Sequence, residues 1–254
     1  MAFHDDFRAG KPLFGPFFRT PSLPMAEVFG TLGFDCVCVD QEHAPLDQAQ
    51  LDLLLMAFRA SATPVIVRPP VGSPEQILNA LDCGATGIMA PHINTGEAAH
   101  AFHHAATFNT ADTPGGRGFA GPVRASGYGA RSMSDHIRLA NQERLTIGQV
   151  EDVEALENID DIVSAPLDCI FIGRSDLTVS MGLTDRKAPE VIEAVEMVAR
   201  KAIEAGRIVG TFTADFDELP KWREQGISFF LLGSEFGMLK AGATAFKTEV
   251  EAKL

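Results

Sequence analysis

Short runs of β-branched and aromatic residues, apolar on both faces, alternate along the chain with stretches whose apolar residues recur at helical spacing. The runs predict eight strands: Leu13 to Phe18, Phe34 to Val39, Thr63 to Val67, Thr86 to Ala90, Leu145 to Val150, Cys169 to Ile172, Ile208 to Phe212 and Phe229 to Leu232. Between them the spacing predicts helices over Leu46 to Ala60, Pro74 to Cys83, Thr95 to Ala106, Val153 to Ser164, Pro189 to Ala205 and Ser234 to Glu251. Ser73-Pro74 reads as a cap followed by a first-turn proline, and Gly84 and Gly206 as helix stops. Strands apolar on both faces belong in a parallel sheet covered by helices, and eight such units close into a (β/α)8 TIM barrel. An open doubly wound sheet is the alternative, but no GxGxxG follows the first strand and no Walker motif occurs.

One stretch breaks the alternation. Thr107 to Arg144, containing GGRGFAGPVRASGYG, is too long for an ordinary connection, and it is expected at the barrel mouth as a lid or subunit contact. Solenoid repeats, low-complexity tracts and interdomain linkers are absent, so residues 1–254 read as a single barrel domain with a long loop at about 107–144.

Composition narrows the function more than the fold. The 254 residues are 46% hydrophobic and 22% charged, an ordinary globular balance. A formal net charge of -13, with a pI near 4.9, repels phosphate backbones and anionic membranes, so no nucleic acid and no membrane is expected as a partner. Cys36, Cys38, Cys83 and Cys169 lack CxxC spacing and read as free core thiols in a reducing compartment. MAFHDDFRAGKP is charged where a signal peptide is apolar, and no window has the roughly 18 apolar residues of a membrane span; a cytoplasmic protein is expected.

In a barrel of this kind chemistry sits where the strands end. Strand two runs into Asp40-Gln41-Glu42-His43, strand three into Arg68, strand four into Pro91-His92, strand five into Gln149-Val150-Glu151 and strand six into Gly173-Arg174-Ser175-Asp176. Strands seven and eight run into Thr211-Phe212-Thr213 and Gly233-Ser234-Glu235. Glu151 and Asp176 end neighbouring strands, and hard carboxylate oxygens suit Mg2+ or Mn2+ better than zinc; the plain alternative is that each caps a helix. His43 beside Asp40 and Glu42 forms a candidate acid/base unit, or else a surface turn before Pro45. Arg68 aims a cation at the mouth for a carboxylate or oxyanion, or else forms a structural ion pair with Asp40 or Glu151. GRSDL at 173 to 177 puts backbone N–H groups at a helix start, where a carboxylate can bind.

Several mechanisms lack their groups. None of the seven lysines follows a strand at the mouth, which disfavours a Schiff base, and there is no GxSxG elbow or catalytic cysteine setting. His100, His103 and His104 read as surface residues of a helix, and Trp222 and Tyr128 as isolated aromatics rather than a sugar platform.

These residues resemble the HpcH/HpaI-type class II pyruvate aldolases. The resemblance spans nearly the whole chain, in GFDCVCVDQEHAPLD at 33–47, VIVRPP at 65–70, ILNALDCGATGIMAPHINTGEA at 77–98, RGFAGPVRASGYG at 117–129, IGQVEDVEALENID at 147–160 and IFIGRSDLTVSMG at 170–182. It implies a barrel of the phosphoenolpyruvate/pyruvate type whose last helix is exchanged between subunits of a homo-oligomer, a hexamer or trimer. It implies a divalent cation, Mg2+ or Mn2+ with Co2+ a further candidate, held by Glu151 and Asp176, and Gln149 beside the bound keto acid. Arg68 would contact the keto or enolate oxygen, the Ser175-Asp176 backbone the carboxylate, His43 with Asp40 would move the aldol proton, and Asp82 would reach a neighbouring subunit's site.

The implied reaction is reversible cleavage of a 4-hydroxy-2-oxo acid to pyruvate and an aldehyde through a pyruvate enolate, with oxaloacetate decarboxylation as a side activity. Two departures bear on aldehyde specificity: GRSDLT stands where GPADLS is frequent, and DQEH where DGEH is frequent. The rival readings are an acyl-CoA lyase of the citrate-lyase kind, for which no basic stretch is present, and a noncatalytic carboxylate-binding barrel.

Overall fold

The computed structural model describes residues 2–254. Strands β1 (Leu13–Phe18), β2 (Val37–Asp40), β3 (Val65–Arg68), β4 (Gly87–Ala90), β5 (Leu145–Val150), β6 (Cys169–Ile172), β7 (Ile208–Thr213) and β8 (Phe229–Ser234) pair in sequence order. β8 pairs back with β1, all neighbours are parallel, and the sheet closes into a barrel. The open-sheet alternative is therefore excluded.

The two-residue period of the strands separates two cores. Val37, Val39, Val65, Val67, Ile170 and Ile172 face the helices, whereas Cys38, Ile66, Met89, Ile147, Phe171 and Phe229 fill the barrel. Continuing the inner row by two residues carries Cys38 to Asp40, Ile66 to Arg68 and Ile147 to Gln149, and two more reach Glu151. The rule that packs the core thus delivers charged side chains to the mouth.

Local signals set the helix starts. Asp47 and Ser73 each form a capping box with the glutamine three residues on, at the Gln48–Ala60 and Pro74–Asp82 helices. Gly84 and Gly206 follow their helices at φ of 100° and 74°, as a stop signal requires. The predicted helix over 153–164 is two pieces, Val153–Glu157 and Ile159–Ser164, which meet at Asn158. Helices Ala2–Arg8, Leu23–Gly30, Met133–Glu143 and Leu219–Glu224 lie outside the predicted set.

The 107–144 stretch is neither structureless nor at the mouth. It contains a 3-10 turn at Arg124–Ser126 and the Met133–Glu143 helix, with Asn141 accepting from the Phe108 amide and donating to the Phe108 carbonyl. Arg117 is tied to Asp82 at 2.7 Å, and Arg124 donates to the Cys83 carbonyl at 3.0 Å, where the Pro74–Asp82 helix ends. The stretch therefore lies under the amino-terminal ends of the strands, at the end opposite the mouth.

Three smaller expectations also change. Cys36, Cys38 and Cys169 are buried thiols, but Cys83 is only half-buried at the helix end. His103 is held rather than free: its Nδ1 faces the Pro166 carbonyl at 3.1 Å and its Nε2 faces Arg144 at 3.1 Å, and burial followed by the Arg144 charge pushes its pKa down to about 4. Trp222 is a core residue, 1% exposed. Among the described residues no helix is long and apolar enough to cross a membrane.

Candidate active site

Asp40 and Arg68 are register partners across β2 and β3, so the barrel itself places carboxylate against guanidinium. Arg68 donates from Nε to Oδ1 at 3.0 Å and from Nη2 to Oδ2 at 2.9 Å, the two-pronged geometry in which Arg–carboxylate pairs are strongest. Arg19, beyond the end of β1, adds a third guanidinium contact to Oδ2 at 2.9 Å. The backbone amides of Glu42 and His43 donate to Oδ1 at 3.2 and 3.3 Å. Both guanidinium groups lie over the Phe17 ring, Arg68 at 4.6 Å and Arg19 at 5.5 Å from its centroid.

This arrangement fixes the charge states. Burial would raise the pKa of Asp40, which is 0% exposed, but the hydrogen bonds and charges of Arg68 and then Arg19 outweigh it and hold the carboxyl below its usual range. Burial likewise opposes the charge on Arg68, and Asp40 more than compensates. With its Nε and Nη2 spent on Asp40, Arg68 points Nη1 into the mouth. That nitrogen lies 3.0 Å from Glu42 Oε2, out of line for a hydrogen bond, and 3.4 Å from Gln149 Oε1.

A second, acidic group stands beside it. Glu151 is 1% exposed; its Oε1 accepts from the His92 amide at 3.0 Å and its Oε2 from the Gln149 amide nitrogen. Burial pushes its carboxyl up to about 7, and the charges of Glu42 and Asp176 add to the rise against the His92 contacts. His92 sits at φ 52°, in the left-handed region, and this turns its ring back over the mouth. Its Nδ1 faces Asp152 at 2.8 Å and its Nε2 faces Glu42 at 3.5 Å. Burial opposes protonation of His92, but Asp152, Glu151 and Glu42 together raise its pKa.

Glu42, His92 and Glu151 bring ligand atoms within 4.8 Å of one another. Carboxylates crowded until one resists ionising, with a buried Glu42 oxygen lacking an aligned donor, fit a hard divalent cation. Glycine is required at 173 because the Glu151 and Gln149 side chains close over it. A Cβ there would come within 2.7 Å of Glu151 Cβ and 2.8 Å of Gln149 Nε2.

The profile of the HpcH/HpaI aldolase/citrate lyase family matches residues 14–241. The chain belongs to this family. It is 34% identical over 242 residues to a hydroxypyruvate/pyruvate aldolase of Paraburkholderia phytofirmans, covering 93% of this chain and 92% of that one. To a 4-hydroxy-2-oxo-heptane-1,7-dioate aldolase of Klebsiella pneumoniae it is 30% identical over 246 residues, covering 96% and 91%. The crystal structure of a family member from Burkholderia cenocepacia superposes with a TM-score of 0.92 at 32% identity, over 98% of this chain and 99% of that one. The protein is accordingly an enzyme of the carbon–carbon lyase class.

Within this HpcH/HpaI barrel the expected site residues separate into groups. Asp40, Arg68, Gln149 and Glu151 meet at the mouth, as their inner-row positions require. Asp176 lies in the first turn of the Arg174–Ser180 helix, close enough to Glu151 to raise its pKa. Neither carboxylate takes the helix-cap alternative, since Asp152 and Gly173 hold the two cap positions. No side chain among the described residues caps the Arg174–Ser180 helix, which leaves the first-turn amides around Ser175 open to a ligand.

One pairing differs from expectation. Asp40 orients Arg68 through its side chain and meets His43 only at the backbone amide; the half-exposed His43 ring has Glu42 as its nearest carboxylate, at 3.7 Å. Asp82 lies at the opposite end of its own barrel, paired with Arg117.

Both departures from the family pattern are committed to protein partners. Arg174 is buried, forks onto Glu218 at 3.1 and 2.6 Å, and lies 5.4 Å over Trp222. Gln41 donates to the Leu46 carbonyl at 3.1 Å. Sequence reading gave no role to Arg19, His92 or Asp152. All three follow strand ends, which was the available signal, but their partners are remote in sequence.

Proposed function

We propose that the protein cleaves 4-hydroxy-2-oxo acids reversibly to pyruvate and an aldehyde, with Mg2+ or Mn2+, or Co2+ as a further candidate, held by Glu151 and Asp176. The observation that carries this reading is the juxtaposition, within one mouth, of a guanidinium locked by Asp40 with the carboxylates of Glu42 and buried Glu151, the latter close enough to Asp176 to feel its charge. The bound cation would supply Lewis acidity toward the carboxylate and keto oxygens of the substrate.

The protein's own groups account for the remainder. The free amides around Ser175 bind the carboxylate at a helix start, and Gln149 lines the keto-acid pocket beside Arg68. His43 takes the C4 hydroxyl proton through a water, the C3–C4 bond breaks, and its electron pair moves into the enolate of pyruvate as the aldehyde leaves. Arg68 Nη1 faces the enolate oxygen, and its orientation is set before the reaction by the two Asp40 contacts. Protonation at C3 completes pyruvate. Oxaloacetate loses CO2 to the same enolate, so its decarboxylation is the expected side activity.

The Glu235–Glu251 helix supports the exchanged-helix, homo-oligomeric reading, with a hexamer or trimer as the assembly and Asp82 directed to a neighbouring subunit. It leaves Phe236, Leu239 and Phe246 exposed, the last at 72%, on a helix whose main contacts with its own barrel are at β8 and β1. Light scattering on a size-exclusion column tests this: wild type should elute as an oligomer and a Leu239→Ser/Phe246→Ser variant as a smaller species.

The function itself is tested by pyruvate release from 4-hydroxy-2-oxo acids of varied tail, coupled to lactate dehydrogenase, after EDTA treatment and after restoring Mg2+, Mn2+ or Co2+. Release that needs a metal, graded by tail, supports the aldolase. No turnover with any metal or tail refutes it and favours the thioester-lyase or binding-protein readings, which coenzyme A competition separates.

A further inference from the structure

We propose that the floor of the barrel carries a second binding site, for a small multivalent oxyanion, in the cavity between the strand amino-termini and the 107–144 segment. The cavity holds about 460 Å³, within the range of small-ligand sites, and Pro64, Val65 and Gly84 to Thr86 form part of its wall.

Its charge is opposite to that of the protein. Five of the chain's 21 lysines and arginines, Arg59, Arg117, Arg124, Arg131 and Arg144, line this one cavity against a single carboxylate, Glu143, in a chain of net charge -13. Arg117 and Arg124 are committed to Asp82 and Asp52. Arg59, Arg131 and Arg144 have no carboxylate partner among the described residues.

Arg144 is the decisive member. It is 8% exposed, yet its guanidinium donates only to neutral groups: the Asn141 carbonyl at 2.8 Å, the Thr107 hydroxyl at 2.5 Å and His103 Nε2 at 3.1 Å. A buried cation without an anionic partner is costly, and burial, with Arg8 and Arg117 adding to it, pulls its pKa below the usual arginine range despite Asp168. Other polar groups in the wall are unsatisfied. His136, 2% exposed, has no hydrogen-bond partner at either ring nitrogen, and neither Arg117 nor Arg144 has one at Nε. Arginine side chains lining one cavity fit phosphate or carboxylate oxygens better than any neutral ligand. A bound anion would also tie the Ala2–Arg8 helix, through His4, to the 107–144 segment and the barrel floor.

The test is calorimetric titration of the full-length protein, saturated with Mg2+ and pyruvate to occupy the mouth, with inorganic phosphate or succinate at constant ionic strength. Arg59 and Arg131 are exposed, so Arg59→Gln/Arg131→Gln should fold normally, which circular dichroism checks. Saturable binding that weakens at least tenfold in this variant, but not in the control Arg186→Gln/Arg223→Gln on other surfaces, supports the site. Preference between the two probes assigns the ligand to the phosphate or the carboxylate class. Absence of saturable binding, or equal affinity in both variants, overturns the proposal. Neither result depends on aldol cleavage.

Discussion

Replacing Asp40 by Asn should destabilise the protein and disable catalysis together, because one carboxylate serves both. Asp40 is fully buried and accepts two hydrogen bonds from Arg68, one from Arg19 and two from backbone amides. Asparagine keeps the shape, removes the charge and turns one acceptor into a donor facing a guanidinium. Breaking a buried ion pair by removing one partner costs about 3–5 kcal/mol. Glu42, 3.0 Å from Arg68 Nη1, offsets part of this, so the lower end, about 3 kcal/mol, is expected. For a chain of this size that is a fall in Tm of roughly 6–12 °C.

The pH dependence follows from the sign of the shift. The folded pKa of Asp40 lies below its unfolded value, so its contribution is complete above about pH 4 and is lost as pH falls through the folded pKa. The gap between wild type and variant should therefore hold from neutral pH down to about pH 4 and narrow below it. In the coupled assay, loss of a preorganised oxyanion partner costs on the order of 100-fold in kcat, because Arg68 remains but is no longer aimed. Thermal melts at several pH values with parallel kinetics test the reasoning. A Tm within about 2 °C of wild type, or full activity in a destabilised variant, would refute it.

Other perturbations read out separate parts of the mouth. In metal-free protein the raised folded pKa of Glu151, about 7, makes stability fall as pH rises from about 4.5 toward 7; Glu151→Gln should flatten that slope, as denaturation curves in EDTA will show. His43→Ala should slow cleavage while leaving metal affinity within a few-fold, since the ring stands outside the Glu42, His92 and Glu151 group; loss of metal binding by calorimetry would make His43 a ligand instead. Gly173→Ala should cost about 1–3 kcal/mol and weaken metal binding by displacing Glu151, and unchanged affinity would contradict the close approach.

The misses have physical causes. The Met133–Glu143 helix buries only His136 of its residues, and Met133, Ile137 and Ala140 are a thin apolar signal inside a long polar stretch. The end of the barrel that the 107–144 stretch covers is set by its arginines finding Asp52, Asp82 and the Cys83 carbonyl, from 35 to 72 residues away. Asp40 and His43, neighbours in sequence, read as one acid/base unit, with an Arg68–Asp40 ion pair as the alternative. In the barrel Asp40 pairs with Arg68, 28 residues on and brought into register by β2 and β3, and at the same distance with Arg19.

The sequence by itself determined the eight β/α units, their strand boundaries to within a few residues, the Ser73 cap, the Gly84 and Gly206 stops and the residues that end the strands at the mouth. These depend on periodicity and on contacts within a turn or two, which any stretch of the chain carries locally. Tertiary structure alone decided which charges pair. Arg19 and Arg68 share one carboxylate, His92 and Glu42 complete the cluster around Glu151, Arg174 turns to Glu218, and the arginines of the floor gather around one cavity. Charge pairing depends on distance in space, and closure of the barrel creates distances that no local spacing encodes.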